Sequence, residues 1–106
     1  RLALKSSPAY SHYCEMIPKC VAGMLDEPVF EDLDQIEIPT LIFFGLNDLL
    51  IPNKYLHPTE TVMAIAKQGA ERIPNSKLVL VEEAGHFVQW DGSNTINEGI
   101  LDLLSE

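Results

Sequence analysis

Residues 38–52 read IPTLIFFGLNDLLIP. The run from Leu41 to Phe44 is apolar throughout, bounded by Pro39 and Gly45, and shows no alternation with polar residues. A short continuous run of this kind marks a strand buried on both faces, which usually means a parallel sheet. A second such run, LVLVE at residues 78–82, follows the turn-forming Pro74-Asn75-Ser76. Between the two, residues 60–72 are read as a helix. Val62, Ile65, Ala66, Gly69 and Ile73 recur at three- and four-residue spacing and share one face. Strand, helix, strand is a βαβ unit, for which a right-handed crossover is expected. The fold class is therefore α/β.

Asp48 stands inside this hydrophobic stretch. An ionised carboxylate removed from water is costly unless it is paired. Two readings are open: Asn47-Asp48 is common turn chemistry at a surface, or Asp48 has a partner elsewhere in the chain. In open parallel sheets functional groups gather just beyond the carboxyl ends of the strands. Asp48 lies there after the first strand, and His86, in EEAGHFVQWD, lies there after the second. Adjacent strands are about 4.8 Å apart, so loops of matching length can bring the two side chains into hydrogen-bonding contact. Gly45 and Gly85 precede them and are expected to relieve steric limits where the loops turn. An Asp beside a His is the supporting half of a nucleophilic triad: the carboxylate fixes the imidazole tautomer, and the imidazole takes a proton. His86 also has a plain alternative, a histidine satisfied by backbone.

Working outward, residues 8–25 (PAYSHYCEMIPKCVAGML) read as helical in two pieces, because Pro18 suits the first turn of a new helix better than a helix interior. Residues 26–39 read as an acidic connector with a short helical turn, pinned by Val29, Phe30, Leu33 and Ile36. A last helix is expected at residues 95–104, with an apolar stripe of Ile96, Ile100, Leu103 and Leu104 and with Thr95 and Glu98 as a capping box. There is no internal repeat and no low-complexity run.

The 106 residues suffice for one domain. A hydrophobic content of 46% with 22% charged residues is ordinary for a soluble globular protein. No apolar run approaches the ~18 residues of a membrane span. The net charge of −9 disfavours nucleic acid and anionic membrane as partners; scattered acids read as a solvated surface. Cys14 and Cys20 have neither metal-ligand nor CxxC spacing and are expected to be free thiols. That leans toward the cytoplasm over the periplasm or secretion, but two cysteines do not fix a compartment. The sequence does not give an oligomeric state.

Two strands buried on both faces need neighbours that a parallel pair with a few helices does not supply. The chain opens on Arg1 with no signal-peptide pattern. We therefore expect the C-terminal portion of a larger doubly wound, mostly parallel α/β sheet, incomplete on its own and in need of the rest of its domain.

IPTLIFFGLNDLLIP, then a helix ending in RIPNSKLVLVEEAGHFVQWD, then an amphipathic helix together resemble the C-terminal third of the α/β-hydrolase superfamily. Gly45, Asp48 and Pro52 match the G-x-x-D-x-x-x-P context of that family's catalytic acid after its seventh strand. Gly85, His86 and Phe87 match the G-H-[FW] of its histidine after the eighth. The acid-before-histidine order agrees with the family's. The resemblance runs from about residue 32 to residue 104. It implies a hydrolase acting on an ester-like or related small molecule, with Asp48 and His86 catalytic, Leu49 and Phe87 lining the substrate pocket, and no metal or organic cofactor. It also implies a C-terminal segment of a single domain, with residues 1–25 the end of a cap or the helix preceding the seventh strand and residues 26–106 a βαβα unit. The spacing of 38 residues between Asp48 and His86 exceeds the family's usual value. The extra length is assigned to residues 53–62, NKYLHPTETV, at the mouth of the site.

No serine or cysteine lies in G-x-S-x-G. The nucleophile, a serine or in some members an aspartate, is expected upstream of Arg1, so the 106 residues alone are expected to be inactive. Two rivals stand beside the hydrolase: a member that binds a ligand or partner without turnover, separated by whether the upstream elbow holds a nucleophile, and a small independent interaction domain, separated by whether the chain folds alone. Asp91 is a weaker candidate acid, because it follows the histidine. His12 and His57 lack a partner context, and Trp90 reads as packing. Gln89-Trp90-Asp91 resembles the histidine loop of carbon–carbon bond hydrolases, but three residues do not assign a substrate.

Overall fold

The computed structural model describes residues 2–105, with side chains from Leu4 onward. They fall into two compact units, one ending at Glu31 and one beginning at Asp32.

The first unit holds a one-turn helix α1 (Leu2–Lys5) and a longer helix α2 (Tyr10–Asp26). The expected break at Pro18 does not occur: α2 is continuous over 17 residues with Pro18 inside it. A proline removes one donor and crowds the carbonyl four residues back. Here the helix carries on past that single loss rather than restarting. The two thiols are free and exposed. Six residues apart on one helix, their backbones are separated by about 9 Å along the axis, beyond the ~7 Å that a disulfide can bridge.

A 3-10 helix, Val29–Gln35, forms the expected turn in the connector. Leu33 and Ile36 are half-buried, whereas Val29 and Phe30 are more exposed than the pinning expectation called for.

In the second unit, strands β1 (Thr40–Gly45) and β2 (Ser76–Val81) pair in parallel, residue for residue from Thr40↔Ser76 to Gly45↔Val81. β2 starts two residues earlier than its apolar run, because Ser76 and Lys77 are needed to match β1 in length. Helix α3 (Val62–Arg72) connects the strands and packs on both. Its N-terminus is capped by Thr61, whose side chain accepts from the Ala64 N–H at 3.1 Å. Val62, Ala66 and Ile73 from its apolar face are buried, as the spacing predicts. A one-turn helix α4 (Val88–Asp91) and helix α5 (Ser93–Ser105) follow.

Helix α5 starts two residues before Thr95, so Thr95 and Glu98 lie inside it and form no capping box. Ile96 and Leu103 are half-buried, whereas Ile100 and Leu104 are exposed, so the apolar stripe is narrower than expected. Gly99 brings α5 onto β1, where a Cβ would meet the Phe43 ring at 2.8 Å and Leu41 at 3.1 Å. Helices on a two-stranded parallel sheet make an incomplete α/β layer, in agreement with the fold class read from the sequence. Among the described residues no helix is long and apolar enough to cross a membrane.

Candidate active site

The equal ends of β1 and β2 decide where the loops begin. Past them, backbone hydrogen bonds stitch the two loops together. The Leu46 N–H donates to the Val81 carbonyl at 2.9 Å, and the Asn47 N–H donates to the Ala84 carbonyl at 2.9 Å. The Asp48 N–H closes a turn onto the Gly45 carbonyl at 3.1 Å.

This close approach explains Gly45. It is buried, and a Cβ on it would stand 2.3 Å from the Gly85 carbonyl oxygen and 2.4 Å from that of Ala84. The need is for absent volume rather than an unusual backbone, since among the described residues none, glycine included, has positive φ. Gly85 differs from the expectation, for a Cβ there would make ordinary contacts at 3.5 and 3.8 Å.

His86 and Asp48 meet with Nδ1 and Oδ2 2.9 Å apart. The Asp48 side chain is 5% exposed and that of His86 36%. The other carboxylate oxygen, Oδ1, accepts from the Leu50 N–H at 2.7 Å and the Ile51 N–H at 3.1 Å. Asp48 therefore does both jobs, one oxygen making the turn and the other holding the histidine, but it does so buried rather than at a surface. Burial pushes the Asp48 carboxyl up, but the hydrogen bonds from His86, Leu50 and Ile51 outweigh it and leave the group below its ordinary value. The acid is thus ionised near neutrality and can only accept. Nδ1 of a neutral His86 must then carry the proton, which leaves the Nε2 lone pair free as an acceptor or base.

Phe87 stands edge-on to His86, with centroids 5.3 Å apart, and stacks on Trp90 at 4.8 Å. Trp90 thus packs on Phe87, yet it is 72% exposed and no core residue. Phe87 is 50% exposed, and Leu49 projects from the acid loop at 90% exposed. His12 and His57 are exposed. Asp91 does not reach for the imidazole in place of Asp48; its Oδ2 accepts from the Gly85 N–H at 2.9 Å. Sequence reasoning missed this bond. The available signal was an acid one helical turn past the histidine loop. Among the described residues no group of three or more His, Cys, Asp or Glu gathers as a metal site would require.

Residues 53–61 leave the site as a self-contained loop. Asn53 Oδ1 accepts from the Tyr55 and Leu56 N–H groups at 3.0 and 3.3 Å, and Lys54 Nζ donates to the Glu60 carbonyl at 2.7 Å.

A parallel βαβ layer with a carboxylate–imidazole pair beyond its strand ends is the arrangement expected of an α/β hydrolase. The comparisons agree. The chain is 33% identical over 96 residues to a 2-hydroxy-6-oxononadienedioate/2-hydroxy-6-oxononatrienedioate hydrolase of Pseudomonas putida, covering 90% of this chain and 30% of that protein. It is 26% identical over 85 residues to the putative carbamate hydrolase RutD of a Caulobacter species, covering 80% of this chain and 28% of the relative. It is 28% identical over 85 residues to a putative non-heme chloroperoxidase of a Synechocystis species, covering 80% and 27%. No family model matches, and no solved structure gives a significant match. Over most of its length the chain is thus similar to hydrolases of the α/β-hydrolase family, consistent with the C-terminal part of that fold. It spans under a third of the length of these curated relatives.

Proposed function

We propose that these residues supply the acid and the base of a hydrolase acting on an ester-like or related small carbonyl compound. The observation that carries the reading is the 2.9 Å bond between His86 Nδ1 and the buried, ionised Asp48. That bond leaves Nε2 as the one ring nitrogen able to take a proton, and more than a third of the His86 side chain is open to a reactant.

The attacking group, a serine hydroxyl or an aspartate carboxylate, comes from another part of the protein. With a serine, Nε2 of His86 removes the hydroxyl proton as oxygen attacks the carbonyl carbon. The imidazolium then returns that proton to the leaving group. In the second half His86 activates water in the same way, and the acyl group departs as an acid. Asp48 remains ionised throughout and stabilises the imidazolium. Leu49 and Phe87, beside the pair, line the entrance for the substrate, and residues 1–25 belong to the end of a cap or the helix before β1. The names of two relatives support a carbonyl substrate, since an oxo-dioate and a carbamate both carry one.

The test is His86→Ala in the full-length protein, assayed on a nitrophenyl ester. Turnover should fall by at least about a thousandfold, the scale on which triad members act. Activity within tenfold of wild type would count against the role of His86. A full-length sequence with no Ser, Cys or Asp at the nucleophile elbow would replace turnover with ligand binding.

A further inference from the structure

We infer that Asp91 is a positioning residue for His86, an inference that rests on the catalytic reading of that histidine. The bond from Asp48 holds the imidazole ring but not the backbone that carries it. That backbone is fixed one residue earlier. The carbonyl of Ala84 accepts from the Asn47 N–H at 2.9 Å. The N–H of Gly85 donates to Asp91 Oδ2, also at 2.9 Å. These two groups are the opposite ends of one planar peptide unit. The Ala84–Gly85 unit, one peptide ahead of His86, is therefore clamped from both sides, by the acid loop on one and by Asp91 on the other.

The clamp is local on the Asp91 side. The backbone turns straight into α4 after His86, with the Trp90 N–H donating to the Phe87 carbonyl at 2.8 Å and the Asp91 N–H to the same carbonyl at 3.3 Å. One helical turn thus folds Asp91 back over six residues onto Gly85. Without it the Gly85 amide can rotate, and the Cα of His86 is free to drift while its ring stays tethered to Asp48. Geometry errors of about 1 Å at a reacting group can cost on the order of a hundredfold in rate.

The experiment compares Asp91→Asn with Asp91→Leu in the full-length protein, alongside His86→Ala. Asparagine keeps an acceptor oxygen at the same reach, whereas leucine keeps the size and removes the acceptor. The expected result is near-wild-type kcat for Asp91→Asn and a fall in kcat of about ten- to a hundredfold for Asp91→Leu with little change in KM. The low-field proton resonance of His86 Nδ1, bonded to Asp48, should stay in place in Asp91→Asn and shift or broaden in Asp91→Leu. Wild-type kcat and an unmoved resonance in Asp91→Leu would overturn the inference. So would equal losses in both variants, which would mean that the bond to Gly85 is not what matters. If His86→Ala itself retains turnover, the catalytic reading has failed, and the resonance in Asp91→Leu still decides whether Asp91 positions the imidazole.

Discussion

Asp48 divides its two oxygens between two tasks. Oδ1 takes the Leu50 and Ile51 amides, and Oδ2 takes the imidazole. Asp48→Asn separates the tasks. The amide oxygen can still serve the turn, but the amide nitrogen is a donor and now faces Nδ1, so the ring must carry its proton on Nε2. Turnover should drop by roughly 10⁴-fold, the scale seen when a triad histidine is held in the wrong tautomer. Because the Asp48 carboxyl lies below its ordinary value of 3.8, the folded state binds its proton less readily than the unfolded chain does. Asp48 therefore adds stability above that ordinary value and loses it as pH falls through the lowered one. Thermal midpoints of wild type and Asp48→Asn in the full-length protein should differ most near neutrality and converge in acid. A difference that stays constant down to about pH 2 would remove the linkage.

Among the elements, the level register of β1 and β2 starts the acid and histidine loops side by side, and Gly45 lets those loops touch. Gly45→Ala puts a methyl group into two carbonyls that cannot move independently of the sheet. It should destabilise the protein by about 2–3 kcal/mol or more and reduce turnover at temperatures where the variant is still folded. Gly85→Ala, with room for its Cβ, should be far milder in a thermal melt and an ester assay; the opposite order would refute the packing account. Much of this was legible in the chain. The unbroken apolar runs gave the parallel pair, and the three- and four-residue spacing from Val62 to Ile73 gave the helix between. Asp48 and His86 were found because both follow a strand end. What stayed hidden depends on tertiary neighbours. No local rule says that a helix will pass through Pro18, that Thr95 will sit inside a helix rather than cap it, or that the Asp91 carboxylate will turn back to a backbone amide.

At the scale of the molecule, the described residues bury little. The hydrophobic core consists of Val62, Ala66, Ile73 and Ala84, while Met24, Leu25, Leu101 and Leu104 are open to solvent. Every residue of β1 before Gly45 is only half-buried, although the apolar runs called for burial on both faces. Folding must offset roughly 1–2 kcal/mol of backbone entropy per residue, and this core is too small to do so across two strands with open edges. The isolated 106-residue segment should therefore show no cooperative melt by circular dichroism and should self-associate on size-exclusion chromatography. A sharply melting monomer would refute this and favour an independent interaction domain.

The short turn closed by Asp48 also has an engineering consequence. The carboxylate ties itself to residues 50 and 51 before the chain reaches Asn53, and the loop beyond has its own internal hydrogen bonds. Residues 53–61 can thus be lengthened, shortened or randomised as a cassette without dragging the acid away from His86. Under the proposed function, substrate range and proton transfer would then be separately adjustable properties of one loop.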